Sequence, residues 1–201
     1  MKGNDGWKFA IPVTIKFSVA WLALVIILGV GVVWCYSRAA DRDRPTIIFA
    51  VSILGGVLTI WGLLQATENL RRSNQEKKLT ASASFVQRWN NPAYLELKRR
   101  WRLLNPVMDD LGEEAAAERL EQNIEERIVA VEILNFFEEI AISIETNTAD
   151  EQLLKLYFHT IFLKSYERYG FWMKTHREKR HAPRYWNVCL PLMKKWKDEE
   201  K

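Results

Sequence analysis

The chain has 201 residues, two cysteines and a net charge of +4. This length allows one soluble domain and a smaller additional element. Two cysteines exclude a disulfide-stabilised scaffold, and Cys35 and Cys189 lack the spacing of a zinc site, so the composition favours a reducing compartment.

The charges are unevenly distributed along the chain. Residues 109–152 carry fourteen acids and two bases, whereas residues 153–197 carry two acids and eleven bases. Such a division predicts either an acidic helix packed between basic helices or a face that binds a polyanion. We favour the first interpretation, because the opposite charges lie in one predicted domain.

Two uncharged apolar segments, residues 17–36 and residues 46–64, lie near the start of the chain. At 1.5 Å per residue each is about 30 Å long, the thickness of the hydrocarbon core of a bilayer. A short charged loop joins them, so residues 1–65 are predicted to form a transmembrane hairpin. A signal peptide is the alternative for the first segment, but that segment is too long and a second one follows directly.

Basic residues predict the orientation of this hairpin. Lys2, Lys8 and Lys16 precede the first segment, and four more basic residues lie between residues 71 and 78. Because basic flanks remain in the cytoplasm, both termini of this multi-pass membrane protein are predicted to be cytoplasmic.

Neither apolar segment contains an ionisable residue, which disfavours a self-sufficient transporter. The simplest role of the hairpin is an anchor, and an oligomeric pore lined by backbone and small residues is the alternative. Gly29 and Gly31 are at the same predicted depth as Gly55 and Gly56, which favours close approach of the two helices. Glycine is also simply common in membrane helices.

The remainder of the chain is predicted to be all-α. A juxtamembrane helix, residues 66–91, continues the second span and stops near Asn90-Asn91-Pro92, where Asn91 is suited to cap the next helix. A cytosolic domain of about four to five helices then occupies residues 92–201. Its first helix is predicted to span residues 92–104 and to end at Asn105-Pro106.

Local signals delimit the later helices. A long central helix is expected over residues 113–146, closed by Asn147 in the left-handed conformation. Thr148 and Glu151 have the spacing of a capping box for the following helix. Pro183 is expected to begin a final helix that reaches about residue 197, with a kink at Pro191.

The segments "FVQRWNNPAYLELKRRW" and "AVEILNFFEEIAISIETNTADEQLL", followed by a basic and aromatic helix pair, resemble the bacterial domain-of-unknown-function 4760 family. The resemblance covers residues 80–197. Its most specific part is "FFEE" followed by a turn and "DEQLL"; related sequences often have glycine in this turn, where this chain has Asn147. The resemblance implies a small, commonly membrane-anchored helical domain without an established activity, so no functional residue is transferred. Because the family is bacterial, the resemblance also implies that the predicted hairpin lies in the bacterial inner membrane.

Glu138 and Glu139 are the first candidate site. Adjacent residues point about 100° apart on a helix, so the two carboxylates are poorly placed to share a substrate, and no histidine follows at the spacing of a di-metal bundle. Glu138 falls on an apolar stripe near Asn135, and a buried carboxylate requires a partner. The sequence therefore predicts a structural polar pin. Its candidate donors are Arg88, Arg168 and Arg184.

The basic stretch "WMKTHREKRHAPRYW" is the second candidate site. Its cations are Lys174, Arg177, Lys179, Arg180 and Arg184. Cations interleaved with aromatic residues can bind nucleic acid, but a membrane-tethered domain has anionic lipid close by. We rank pairing with the acidic helix first, lipid second and nucleic acid third.

These patterns predict a membrane-tethered interaction or assembly module with no catalytic residues, metal or cofactor. Its expected partners are the lipid bilayer, a second copy of the chain, or another protein. An oligomerising, membrane-disrupting effector of a toxin or phage-defence system is the alternative. An enzyme that uses Glu138 ranks third.

Overall fold

The computed structural model describes residues 13–199, with side chains from residue 25 onward, and its regular elements within that range are all helical. The predicted all-α fold class is confirmed. The seven α-helices are α1 (Val13–Arg38), α2 (Arg44–Trp89), α3 (Leu95–Asp109), α4 (Glu113–Gln122), α5 (Ile124–Glu145), α6 (Glu151–Lys179) and α7 (Cys189–Asp198), and a 3₁₀ helix, Pro92–Tyr94, lies between α2 and α3.

The chain divides into two compact units, Met1–Glu68 and Asn69–Lys201. In the first unit, the start of α2 is apolar and exposed. Within the described residues, α2 is the one helix that is long and apolar enough to cross a membrane, whereas the apolar part of α1 with described side chains is the shorter Val25–Arg38. Lys2 and Lys8 lie outside the described residues, and the side chain of Lys16 is not described.

The predicted approach of the two apolar helices at their glycines is wrong. A Cβ atom added at Gly29, Gly31, Gly55 or Gly56 would meet no atom within 4 Å. Equal distance from the hairpin loop fixes the depth of a residue along a helix, but not the face on which it lies.

The second unit is built around an aromatic core contributed by five helices, α2, α3, α5, α6 and α7. Trp89 of α2 stacks on Phe136 of α5 at 5.3 Å, and the edge of its ring meets Trp101 of α3 at 6.2 Å. Phe137 of α5 packs against Phe162 of α6 at 4.7 Å between ring centroids. Eight residues of α5 and ten of α6 are buried, so these two helices contribute most of the core of the unit.

The end of α2 is as predicted. The helix runs without a break to Trp89, and the Asn91 side chain accepts a hydrogen bond from the Ala93 N–H at 2.9 Å. Lys98 reaches back from α3, and its ammonium donates to the Trp89 carbonyl oxygen at 2.6 Å. Burial lowers the pKa of Lys98, with a smaller contribution from Arg102. Further back along α2, the hydroxyl of fully buried Ser82 accepts a hydrogen bond from the Asp150 N–H at 2.7 Å.

Two predicted helix boundaries in the middle of the chain are wrong. α3 continues through Pro106 to Asp109. The predicted helix 113–146 is interrupted at Asn123, whose side chain accepts hydrogen bonds from the N–H groups of Glu125 and Glu126 at 3.1 and 3.2 Å. This local N-cap begins α5 separately from α4.

The ends of α5 and α6 follow the predicted turn, but the cap differs. Asn147 has φ 57°, the left-handed conformation expected there. The helix cap is Asp150 rather than Thr148, and its carboxylate accepts from the Leu153 N–H at 2.8 Å.

The last helix begins at Cys189 rather than at Pro183. Pro191 lies in its first turn, where backbone N–H groups have no partner inside the helix. The helix therefore accommodates Pro191 and continues to Asp198.

Candidate functional site

Glu138 of α5 caps the start of α7. Its Oε2 accepts a hydrogen bond from the Cys189 N–H at 2.7 Å, and its Oε1 accepts from the Val188 N–H at 3.2 Å. In the amide orientation that satisfies its own hydrogen bonds, Asn187 donates to the same Oε1 at 3.1 Å. The first N–H groups of a helix lack intrahelical partners and its dipole favours a negative charge, so this carboxylate satisfies the backbone at the start of α7.

The predicted arginine partner of Glu138 is wrong, because backbone N–H groups satisfy the carboxylate. Arg88 pairs with the exposed Glu139 instead. Arg168 donates to Asp109 through two bonds of 2.5 and 2.7 Å. The side chain of Arg184 is exposed and has no hydrogen-bond partner among the residues that the structure describes.

Asn135 is exposed rather than buried, so it does not act as the predicted buried pin beside Glu138. Its Oδ1 accepts a hydrogen bond from the indole Nε1 of Trp186 at 3.1 Å. Asn135 therefore fixes a tryptophan of the loop between α6 and α7.

Cys189 is fully buried beside Glu138. Burial raises the pKa of this thiol well above its usual range, and the neighbouring carboxylate raises it further. The nucleophilic thiolate is therefore scarce at neutral pH.

A second polar cluster joins α4, α5 and α6 around Glu121. The Glu121 Oε1 lies 2.5 Å from Nδ1 of His176 and accepts from Nε1 of Trp172 at 3.0 Å. Arg127 donates to the Glu121 carbonyl oxygen at 2.8 Å and lies 3.5 Å from Oε2. His176 and Trp172 are buried, so this network joins three helices through one partly buried carboxylate.

The Glu121 carboxylate is held in its ionised form. Burial acts to raise its pKa, but the hydrogen bonds from His176 and Trp172 and the charge of Arg127 outweigh this effect and lower it. An ionised carboxylate can only accept hydrogen bonds, so we place a proton on Nδ1 of His176, which donates to Glu121.

A groove opens beside this cluster, with a volume of about 380 Å³. Its lining residues come from α5, from the end of α6 and from the following loop: Arg127, Val131, Asn135, His176, Arg180, Tyr185 and Trp186. Trp186 has φ 50° although it is bulky, and it is held by Asn135 and by its ring contact with Trp172 at 5.4 Å. A strained conformation of this kind persists only where the surrounding packing imposes it.

The sequence matches the model of a family described as a domain of unknown function, DUF4760, over residues 23–196. The chain belongs to the DUF4760 family. The match begins inside α1 and ends in α7, so it includes the apolar segments as well as the aromatic core. No curated protein and no solved structure matches the chain.

In this DUF4760 chain the five predicted patch cations surround the end of α6. Lys174, Lys179, Arg180 and Arg184 are exposed, and Arg177 donates to the Pro183 carbonyl oxygen at 2.5 Å. None of the five forms an ion pair with another described residue.

Other cations of the DUF4760 chain are paired with acidic residues on different helices. Lys195 contacts Glu151 at 2.7 Å, and Arg168 contacts Asp109 at 2.5 Å. The predicted pairing between acidic and basic segments therefore exists, but it does not include the patch.

The Glu121 cluster was absent from the sequence predictions, although α6 carried a signal for it. Trp172 and His176 are four residues apart and therefore share a helix face with Tyr169 and Met173. A histidine on such a face requires a polar partner. That partner, Glu121, is fifty-five residues away along the chain. Among the described residues, no group of three or more histidine, cysteine or acidic side chains could hold a metal ion.

Proposed function

We propose that this DUF4760 chain is a membrane-tethered interaction or assembly module. A two-span hairpin anchors it in the bacterial inner membrane with both termini in the cytoplasm. The helical domain, residues 92–201, then presents its binding surfaces to a partner or to a second copy of the chain.

The exposed apolar start of α2 carries this proposal. None of the most apolar eighteen-residue window of this helix is buried, and side chains such as Phe49 and Leu64 are about two-thirds exposed. Exposed apolar surface costs about 25 cal/mol per Å² in water. A bilayer removes that cost, and the basic residues that follow, Arg71, Arg72, Lys77 and Lys78, favour the cytoplasmic side.

Membrane extraction tests the anchor. The full chain is expected to resist alkaline carbonate and to dissolve only in detergent. Leu54→Arg places a charge at the centre of the apolar segment, which costs about 2.5–3.5 kcal/mol on insertion, and is expected to shift a large fraction of the chain to the soluble or aggregated pool. Leu156→Arg, at the exposed Leu156 of α6, is the matched control. Complete carbonate release of the wild-type chain would refute the anchor.

Cross-linking in native membranes, together with hydrodynamic size in mild detergent, tests assembly. Reproducible cross-linked species and a size above that of the monomer are expected. A strictly monomeric chain that cross-links to nothing would contradict the assembly role.

A membrane-disrupting effector is the second candidate. It is favoured by the open space around Gly29, Gly31, Gly55 and Gly56, where another apolar helix can approach closely. Induced expression is then expected to collapse the membrane potential and stop growth. Harmless accumulation under every trigger tried would argue against this candidate.

A further inference from the structure

We propose that the groove beside Glu121, lined by Arg127, Arg180 and Tyr185, binds a phosphate monoester. This inference is independent of the membrane anchor, because every lining residue belongs to the unit Asn69–Lys201. The membrane-tethered module proposed above does not depend on a ligand in this groove.

Arg127 supplies an oriented guanidinium. One of its terminal nitrogens, Nη1, donates to the Glu121 carbonyl oxygen at 2.8 Å and lies 3.5 Å from the Glu121 carboxylate. A guanidinium has five N–H donors, so donors remain for a ligand in the groove. Because the side chain is already fixed, less conformational entropy is lost when it binds an oxyanion.

Arg180 supplies an uncompensated charge. It is exposed at the C-terminal cap of α6 and forms no ion pair with any residue that the structure describes. The lining residues therefore include two guanidinium groups, whereas Glu121 behind them provides one carboxylate. The groove has an excess of positive charge, and the planar fork of a guanidinium matches the geometry of phosphate oxygens.

Two neutral side chains of the groove, Asn135 and Tyr185, can also contact a ligand. The Asn135 oxygen accepts from Trp186, which leaves the amide N–H₂ as a donor. The Tyr185 side chain is 53% exposed, and its ring lies 5.9 Å from that of Trp186. An exposed ring of this kind is suited to stack on a planar group, and about 380 Å³ is within the ~300–1,000 Å³ of small-molecule pockets.

The phosphate monoester can come from a soluble mononucleotide or from the headgroup of phosphatidic acid. Both carry the doubly charged oxyanion that the two arginines would bind, but only the nucleotide carries a ring for Tyr185. Calorimetry on the full chain in nanodiscs distinguishes these sources. The soluble probes are adenosine monophosphate, ribose 5-phosphate and inorganic phosphate, in nanodiscs of phosphatidylcholine alone or with phosphatidic acid.

We expect one saturable site that binds adenosine monophosphate more tightly than ribose 5-phosphate. Arg180→Gln is expected to weaken this binding at least about tenfold, as the loss of a charge-assisted contact does. Tyr185→Ala is expected to remove the preference for adenosine monophosphate over ribose 5-phosphate. Lys174→Gln, at another exposed cation of α6 that does not line this groove, is expected to bind as the wild type does.

If phosphatidic acid is the source, it is expected to compete with the soluble probes in the wild-type chain, and not in Arg180→Gln. The proposal is overturned if no soluble probe saturates and phosphatidic acid has no Arg180-dependent effect. It is also overturned if Lys174→Gln weakens binding as much as Arg180→Gln, because diffuse charge would then explain the affinity. Arg127→Lys, checked for folding by circular dichroism, must weaken binding as well, since it keeps the charge and loses the planar fork.

Discussion

Replacing Glu138 by alanine removes the cap of α7. Two backbone N–H groups, those of Val188 and Cys189, lose a charged acceptor at 3.2 and 2.7 Å. Hydrogen bonds to charged groups contribute about 1.5–3 kcal/mol each, and the favourable position at a helix N-terminus adds about 0.3–1 kcal/mol. Because Glu138 is only half-buried, we take the lower end of these ranges and expect a loss of roughly 2–4 kcal/mol.

Thermal unfolding of the full chain in mild detergent, followed by circular dichroism, measures this loss. At about 2–4 °C per kcal/mol for a chain of this size, the midpoint is expected to fall by roughly 4–16 °C. Glu138→Gln keeps one acceptor oxygen and is expected to have a smaller effect in the same direction.

Glu139→Ala is the matched control. The Glu139 side chain is exposed and pairs with Arg88 at the surface, so its loss is expected to cost less than about 1 kcal/mol. Equal midpoints for the two alanine variants would refute the capping role. A Glu138→Gln variant that keeps its stability but loses a measurable turnover would favour catalysis at Glu138 instead.

Three further variants test the interior of the unit Asn69–Lys201. Glu121→Gln removes a carboxylate whose pKa is lowered on folding, so the stabilising contribution of this carboxylate is present above the unfolded pKa and is lost as the pH falls through the folded pKa. The difference in urea midpoint between this variant and the wild type is therefore expected to be largest above about pH 5 and to narrow toward pH 3. A difference that does not depend on pH would contradict this. Phe137→Ala truncates a fully buried side chain and is expected to lower the free energy of unfolding by about 3–5 kcal/mol. Leu156→Ala, at an 86% exposed position, is its control and is expected to change this free energy by less than about 0.5 kcal/mol in the same urea titration. Ser82→Ala leaves the Asp150 N–H without its acceptor and is expected to cost about 1–3 kcal/mol, so unchanged protection of that amide against hydrogen exchange would contradict the assignment.

Helix ends with strong local chemistry were predictable from the sequence. Asn91 and Pro92 end α2 and begin the next helix, and Asn147 closes α5. In each case the residue acts on groups within a few positions of itself, so the spacing alone contains the information.

The break between α4 and α5 was missed because the apolar periodicity continues across Asn123. Its signal was local as well: an asparagine followed by Glu125 and Glu126 is suited to an N-cap and a helix first turn. The periodicity favours one uninterrupted helix, but in the structure the Asn123 cap begins a separate helix.

The partners of Glu138 and Glu121 depend on which helices pack together. A helical wheel gives the direction of Glu138 from the axis of α5, but not the element opposite it. The partners of Glu138 are the backbone N–H groups of Val188 and Cys189, which no pattern of charged side chains indicates. Glu121 and His176 are likewise joined only by the packing of α4 against α6. Such long-range contacts are set by the tertiary structure and leave little trace in local spacing.

The central claim is that two membrane spans hold the helical domain on the cytoplasmic side, and labelling of single cysteines tests it most directly. Cys35 and Cys189 are first replaced by alanine, which leaves no other cysteine in the chain. A membrane-impermeant maleimide is then applied to spheroplasts that express Ala40→Cys, in the loop between α1 and α2, or Gln75→Cys, beyond the apolar part of α2. The account predicts that Ala40→Cys is labelled in intact spheroplasts and that Gln75→Cys is labelled only after permeabilisation. Labelling of both in intact spheroplasts, or of Ala40→Cys only after permeabilisation, would contradict it.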